Sequence, residues 1–177
     1  MKEEGNLPFT PFHFGPGLFI KSISPRSFSW GTFVLTQVVI DCETLYYMLQ
    51  RTYPIHRTLH TFIGTSLAGL LTACLVLVGK QLLMRTGSDR PVIGRKPLLQ
   101  SEISTKGILL GGLIGGASHP FLDGIMHHDM RPFAPWSDAN PLLGLIGLVP
   151  LHLLCVFSGF AGLVIVVFLL SKQSAAG

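Results

Sequence analysis

Residues 107–126 read GILLGGLIGGASHPFLDGIM, an apolar run of the length needed to cross a bilayer, yet its second half carries His119, Pro120 and Asp123. About 20 such residues suffice for a transmembrane helix. A histidine and an aspartate inside one are expensive unless they pair, line a wet cavity or hold a metal. The next four residues, HHDM, add His127, His128 and Asp129. His119, Asp123 and His127 are spaced by four, which on a helix places them along one face in a pattern suited to a shared cation. The alternative is a helix end dressed with polar caps at the membrane interface. Pro120 either kinks this helix or starts a new one after His119.

Working outward, the 177 residues are 48% hydrophobic and only 12% charged, with a mean hydropathy of +0.51. A soluble domain carries about 25% charged residues. The composition therefore points to an integral membrane protein, in a single unit covering 1–177. Spans are expected at about 28–49, 58–83, 107–126 and 143–170, giving an all-α bundle of about four transmembrane helices. Residues 1–27, containing the Pro/Gly-broken TPFHFGPGLFIK, read as an interfacial or re-entrant segment. No removable signal peptide is expected. Cys42, Cys74 and Cys155 are scattered singly and read as small buried hydrophobes, with zinc ligation by Cys42 a lesser alternative.

Basic residues are unevenly distributed. Lys2, Lys21 and Arg26 precede the first span, and Lys80, Arg85, Arg90, Arg95, Lys96 and Lys106 edge or fill the 84–106 connection. Lys172 follows the last span, whereas the opposite side has Arg51, Arg57 and Arg131. The positive-inside rule then puts both termini and the 84–106 loop in the cytoplasm. The charge of that loop suits anionic lipid heads rather than nucleic acid. In this topology Asp41, His56, His60 and the His119–Asp129 group converge at one depth on the outer side. Gly111/Gly115 and Gly112/Gly116 repeat at four-residue spacing, as in closely packed helices.

Asp41 lies deep in the apolar run FVLTQVVIDCETLYYML, where a carboxylate costs roughly 2.5–3.5 kcal/mol on insertion scales. A metal or an arginine partner would compensate. Glu43, on a different face, is a candidate base, supporting partner or interfacial acid. In HRTLHTF, His60 is the better ligand candidate and His56 suits a wet loop. Arg57 either anchors a phosphate or snorkels at the interface. His152, alone in the last span, is best read as satisfied by a backbone carbonyl.

Taken together, TPFHFGPG, VVIDCE, HRTLHTF and HPFLDGIMHHDMRPF resemble the YdjM-like family of small bacterial inner-membrane proteins, described as metal-dependent hydrolases. The resemblance runs from His13 to about Pro141. Through it the chain is distantly similar to the all-helical zinc-dependent phospholipase C and S1/P1 nucleases. The resemblance implies metal ligands at His13, Asp41, His60, His119 and Asp123, and at His127 or His128. It also implies that the N-terminal segment folds back to the site, whereas the simple topology leaves His13 on the cytoplasmic side. The phospholipases add a later HxxxE pair; here the residue four after His152 is Val156, so one or two zinc ions are expected rather than three.

The expected chemistry is hydrolysis of a phosphoester, on a lipid-linked substrate at headgroup depth, by a metal-activated water. Mixed His/Asp ligands suit zinc over calcium or magnesium. Asp129 or Glu43 is the expected base, and Arg57 or Arg131 the phosphate anchor. Three other readings use the same residues: a transporter or metal/proton conduit, a haem protein ligated by His60 and His119, and a non-catalytic adaptor with a structural metal.

Overall fold

The computed structural model describes residues 11–85 and 97–175, all of whose regular structure is helical. A 3-10 turn, Pro11–His13, leads into α1 (Phe14–Ile23); α2 is Trp30–Leu49 and α3 Phe62–Arg85, preceded by a second 3-10 turn at Thr58–His60. Then come α4 (Pro97–Ile103), α5 (Thr105–Met126) and α6 (Leu148–Ala175). Lys2, Arg90, Arg95 and Lys96, invoked for topology, lie outside the described residues.

Of the four expected spans, α3, α5 and α6 are long and apolar enough to cross a membrane. α2 has twenty residues but does not join them, because Thr32, Thr36, Gln37, Asp41, Glu43 and Thr44 dilute its apolar character. Its buried face runs Thr32, Phe33, Thr36, Gln37, Ile40, Asp41 and Thr44, a helical stripe in which only Phe33 and Ile40 are apolar. Two boundaries differ from expectation. The last span begins at Leu148 rather than Leu143, since residues 141–146 form turns, with Gly144 at φ 71°. The expected 84–106 loop contains the short helix α4.

α5 is the central helix. A Cβ on Gly111 or Gly115 would strike α2 at Ser29, Thr32, Phe33 and Thr36; one on Gly112 or Gly116 would strike the α3 backbone at Gly69 and Thr65. The two glycine pairs therefore face two different neighbours and bring both backbones to near contact. Ser29 and Ser104 cap α2 and α5 by accepting from the Thr32 and Gly107 backbone N–H groups. α5 runs unbroken through Pro120, so His119 and Asp123 sit one turn apart on one rod.

α1 has ten residues, about 15 Å of rise, half the roughly 30 Å hydrocarbon core. It begins at the buried His13 and ends near Lys21, whose ammonium donates to Phe28 O, Ser101 Oγ and Glu102 Oε1 at the other end of the bundle. α1 is thus too short to span on its own, and His13 lies beside Asp123, not at the Lys21 end. α6 packs on α1 through Gly15, Gly159 and Gly162. It leaves Val149, Phe157, Phe160 and Phe168 exposed, an outer surface suited to lipid.

Candidate metal centre

α2 delivers Asp41, the 3-10 turn before α3 delivers His60, and α5 delivers His119 and Asp123. All four are buried, between 0% and 6% exposed, and each offers a ligand atom within 4.8 Å of the other three. His119 Nε2 lies 3.0 Å from Asp123 Oδ2 and 3.5 Å from Asp41 Oδ1. His60 Nε2 lies 3.8 Å from Asp123 Oδ2 and 4.0 Å from Asp41 Oδ1. Two ligand atoms on one tetrahedral zinc, each about 2.1 Å from it, stand roughly 3.4 Å apart. The four groups fit a shared divalent ion.

Their hydrogen bonding points the same way. His119 Nε2 and Asp123 Oδ1 are fully buried and have no hydrogen-bond partner, and neither has either ring nitrogen of His13. His13 Nε2 nevertheless stands 3.1 Å from Asp123 Oδ1. Each such orphan costs about 1–3 kcal/mol in a protein interior. A cation bound beside Asp123 would relieve part of that cost.

The far sides of the imidazoles are held. His119 Nδ1 donates to Gln37 Oε1, while Gln37 Nε2 donates to Gly115 O and Ser118 Oγ. His60 Nδ1 donates to Glu43 Oε2 (3.0 Å), which also accepts from the Leu59 and Arg57 backbone N–H groups. Both bonds put the proton on Nδ1 and turn the Nε2 lone pair inward, the arrangement outer partners impose on metal-binding histidines. Thr44 Oγ1 lies 3.0 Å from His60 Nε2 and competes for that lone pair.

Beside this group lies another. His56, His127 and Asp129 offer ligand atoms within 4.8 Å of one another. His56 Nδ1 bonds Asp129 Oδ1 at 2.8 Å, and Asp129 Oδ2 accepts from the Ile55 and His56 backbone N–H groups. Burial alone would raise the Asp129 carboxyl, but the His56 ring and the two amides outweigh it and hold it down at about 2. Burial pushes His127 down to about 4.

The remaining expected residues separate. His128 is exposed, 3.1 Å from the Tyr53 hydroxyl. Arg57 lies over the Tyr47 ring, 3.8 Å from its centre, and its Nε donates to Pro54 O. Arg131 pairs with Asp138 on the surface and lines a cleft of about 420 Å³ together with Tyr53, His128, Asp129 and Asn140. His152 stacks on Phe12. Gln37 and Thr44 were not singled out from sequence; with Asp41 they share the i, i+4, i+7 stripe of α2, a signal that was there to read. No family model, no curated protein and no solved structure matches the chain.

Proposed function

We propose that the chain is a metal-dependent hydrolase of the bacterial inner membrane, of the YdjM-like kind, acting on a phosphoester presented at headgroup depth. The observation that carries this reading is the convergence of Asp41, His60, His119 and Asp123, with the buried His119 Nε2 among them lacking a hydrogen-bond partner. A bound divalent ion, zinc by the ligand chemistry, supplies Lewis acidity toward a water and a phosphoryl oxygen.

The chain's own residues do the rest. Glu43 and Gln37 fix the imidazole tautomers. Each oxygen of Asp129 and the Oε2 of Glu43 already accepts hydrogen bonds, so these acids act as holders rather than bases. Proton acceptance falls to His13, whose Nε2 stands 3.1 Å from Asp123 Oδ1 and whose Nδ1 has no hydrogen-bond partner. The polar cleft beside Asp129, with Arg131 on its rim, receives the headgroup while the acyl portion stays in lipid. Lys21, Arg26, Arg85 and Lys106 gather at the opposite end of the antiparallel bundle, which supports a cytoplasmic C-terminus. Haem ligation by His60 and His119 has no such support, because an Asp123 oxygen stands 3.0 and 3.8 Å from their Nε2 atoms, where a porphyrin would need to lie.

The test is metal content and turnover of the detergent-purified protein beside Asp41→Ala and His119→Ala. Metal bound by the wild type and lost from both variants, with phosphoesterase activity lost alongside, supports the reading. Equal metal in all three ends it. Metal without turnover, but with zinc flux into proteoliposomes, moves the site to transport.

A further inference from the structure

We infer that His56, His127 and Asp129 form a second divalent-cation site, adjoining the first and open to the surface cleft. The three residues come from two segments, the loop before α3 and the chain just after α5, and their ligand atoms lie within 4.8 Å of one another. Two of them are locked: Asp129 is tied to His56 by the 2.8 Å bond and to the loop by two backbone donors. The third is free to bind. The His127 ring is half-buried and makes no hydrogen bond to the protein, yet it stacks on His56 with centroids 4.4 Å apart. A loop clasp needs only the His56–Asp129 pair. A third imidazole stacked on that pair, its nitrogens tied to no protein group, adds a ligand that the clasp does not use.

The two groups are contiguous. His56 meets His60 edge-on, 4.9 Å between ring centroids. They differ in closure. The Asp41–His60–His119–Asp123 group has four protein ligands and is sealed in the bundle, whereas the second has three, and Asp129 lines the open cleft. Three protein ligands leave a tetrahedral ion one open position, which here would face the cleft. Adjacent cations are also how two-metal hydrolases clamp an anionic group. Cation binding at this position does not itself depend on the hydrolytic reading.

The experiment is zinc stoichiometry, measured by elemental analysis after equilibration with buffered zinc, on the wild type, His127→Ala, Asp129→Asn and Asp41→Ala. Because the His127 side chain holds no hydrogen bond of the fold, His127→Ala leaves the loop's bonds in place. Two equivalents are expected for the wild type and one for each of His127→Ala and Asp129→Asn. Asp41→Ala loses the other equivalent. One equivalent in the wild type, lost from Asp41→Ala but kept by His127→Ala, overturns the second site and leaves the first standing. Two equivalents kept by both His127→Ala and Asp129→Asn overturn it as well. No zinc in the wild type removes both sites together.

Discussion

The two ends of α2 each touch a buried cluster of ionisable groups, and the clusters are wired differently. At its start, Lys21 donates to Phe28 O, Ser101 Oγ and Glu102, while Glu102 accepts from Ser29 Oγ and from the Trp30 and Gly31 backbone N–H groups. There the charges are matched, and a carboxylate sits at a helix N-terminus, where the dipole favours it. Around Asp41 the count fails: two acids and several imidazoles crowd together, and four buried polar atoms lack partners. A satisfied cluster fastens a fold; an unsatisfied one is shaped for something else. The first joins α1, α2 and α4, and the second joins α2, α3 and α5 around a point.

That contrast breaks most readily at the ligands. His119→Ala and Asp41→Ala should weaken zinc binding beyond the roughly 100-fold upper range seen for outer partners. Asp41→Ala should do so without lowering the unfolding temperature of the metal-free protein, whereas His119→Ala also leaves Gln37 Oε1 without its donor. Competition with a chelator and a thermal scan in detergent read both; a large stability loss in metal-free Asp41→Ala would make the cluster structural. Lys21→Met should do the reverse. It should cost about 3 kcal/mol by leaving Glu102 short of its partner, measured by denaturant unfolding, with zinc content unchanged. Loss of zinc there would mean that the two clusters are coupled.

Smaller effects sharpen the picture. Glu43→Gln and Gln37→Leu should lower zinc affinity about 10- to 100-fold while retaining stoichiometry at saturation. Unaltered affinity in both would deny them any role in aiming the imidazoles. Smallest is Thr44→Val. Removing a competing hydroxyl worth about 1 kcal/mol should raise affinity by up to roughly fivefold, read from the same competition curve, and a fall would show that Thr44 supports the ligand.

The apolar runs made α3, α5 and α6 legible, and the paired glycines foretold the contacts of α5. Asp41, His60, His119 and Asp123 stood out because each is an ionisable group in or beside hydrophobic sequence, where chance placement is costly. Gln37 and Thr44 escaped because neutral polar groups in helices excite less suspicion, although their spacing from Asp41 marked them. The start of α6 was misplaced because the apolar run continues through turns that only the backbone reveals. The grouping of His56 with His127 and Asp129 depends on a loop path that no periodicity encodes. His13 joined the centre only through a resemblance, since ten residues of half-helix hide which end of the bundle they start from.

α6 is attached through α1, and α1 begins at His13. The C-terminal helix is thus a lever arm on the catalytic imidazole of the proposed reaction. Drawing it sideways through the bilayer would strain the contact of that ring with Asp123 against the Lys21 anchor that ties α1 to α2 and α4.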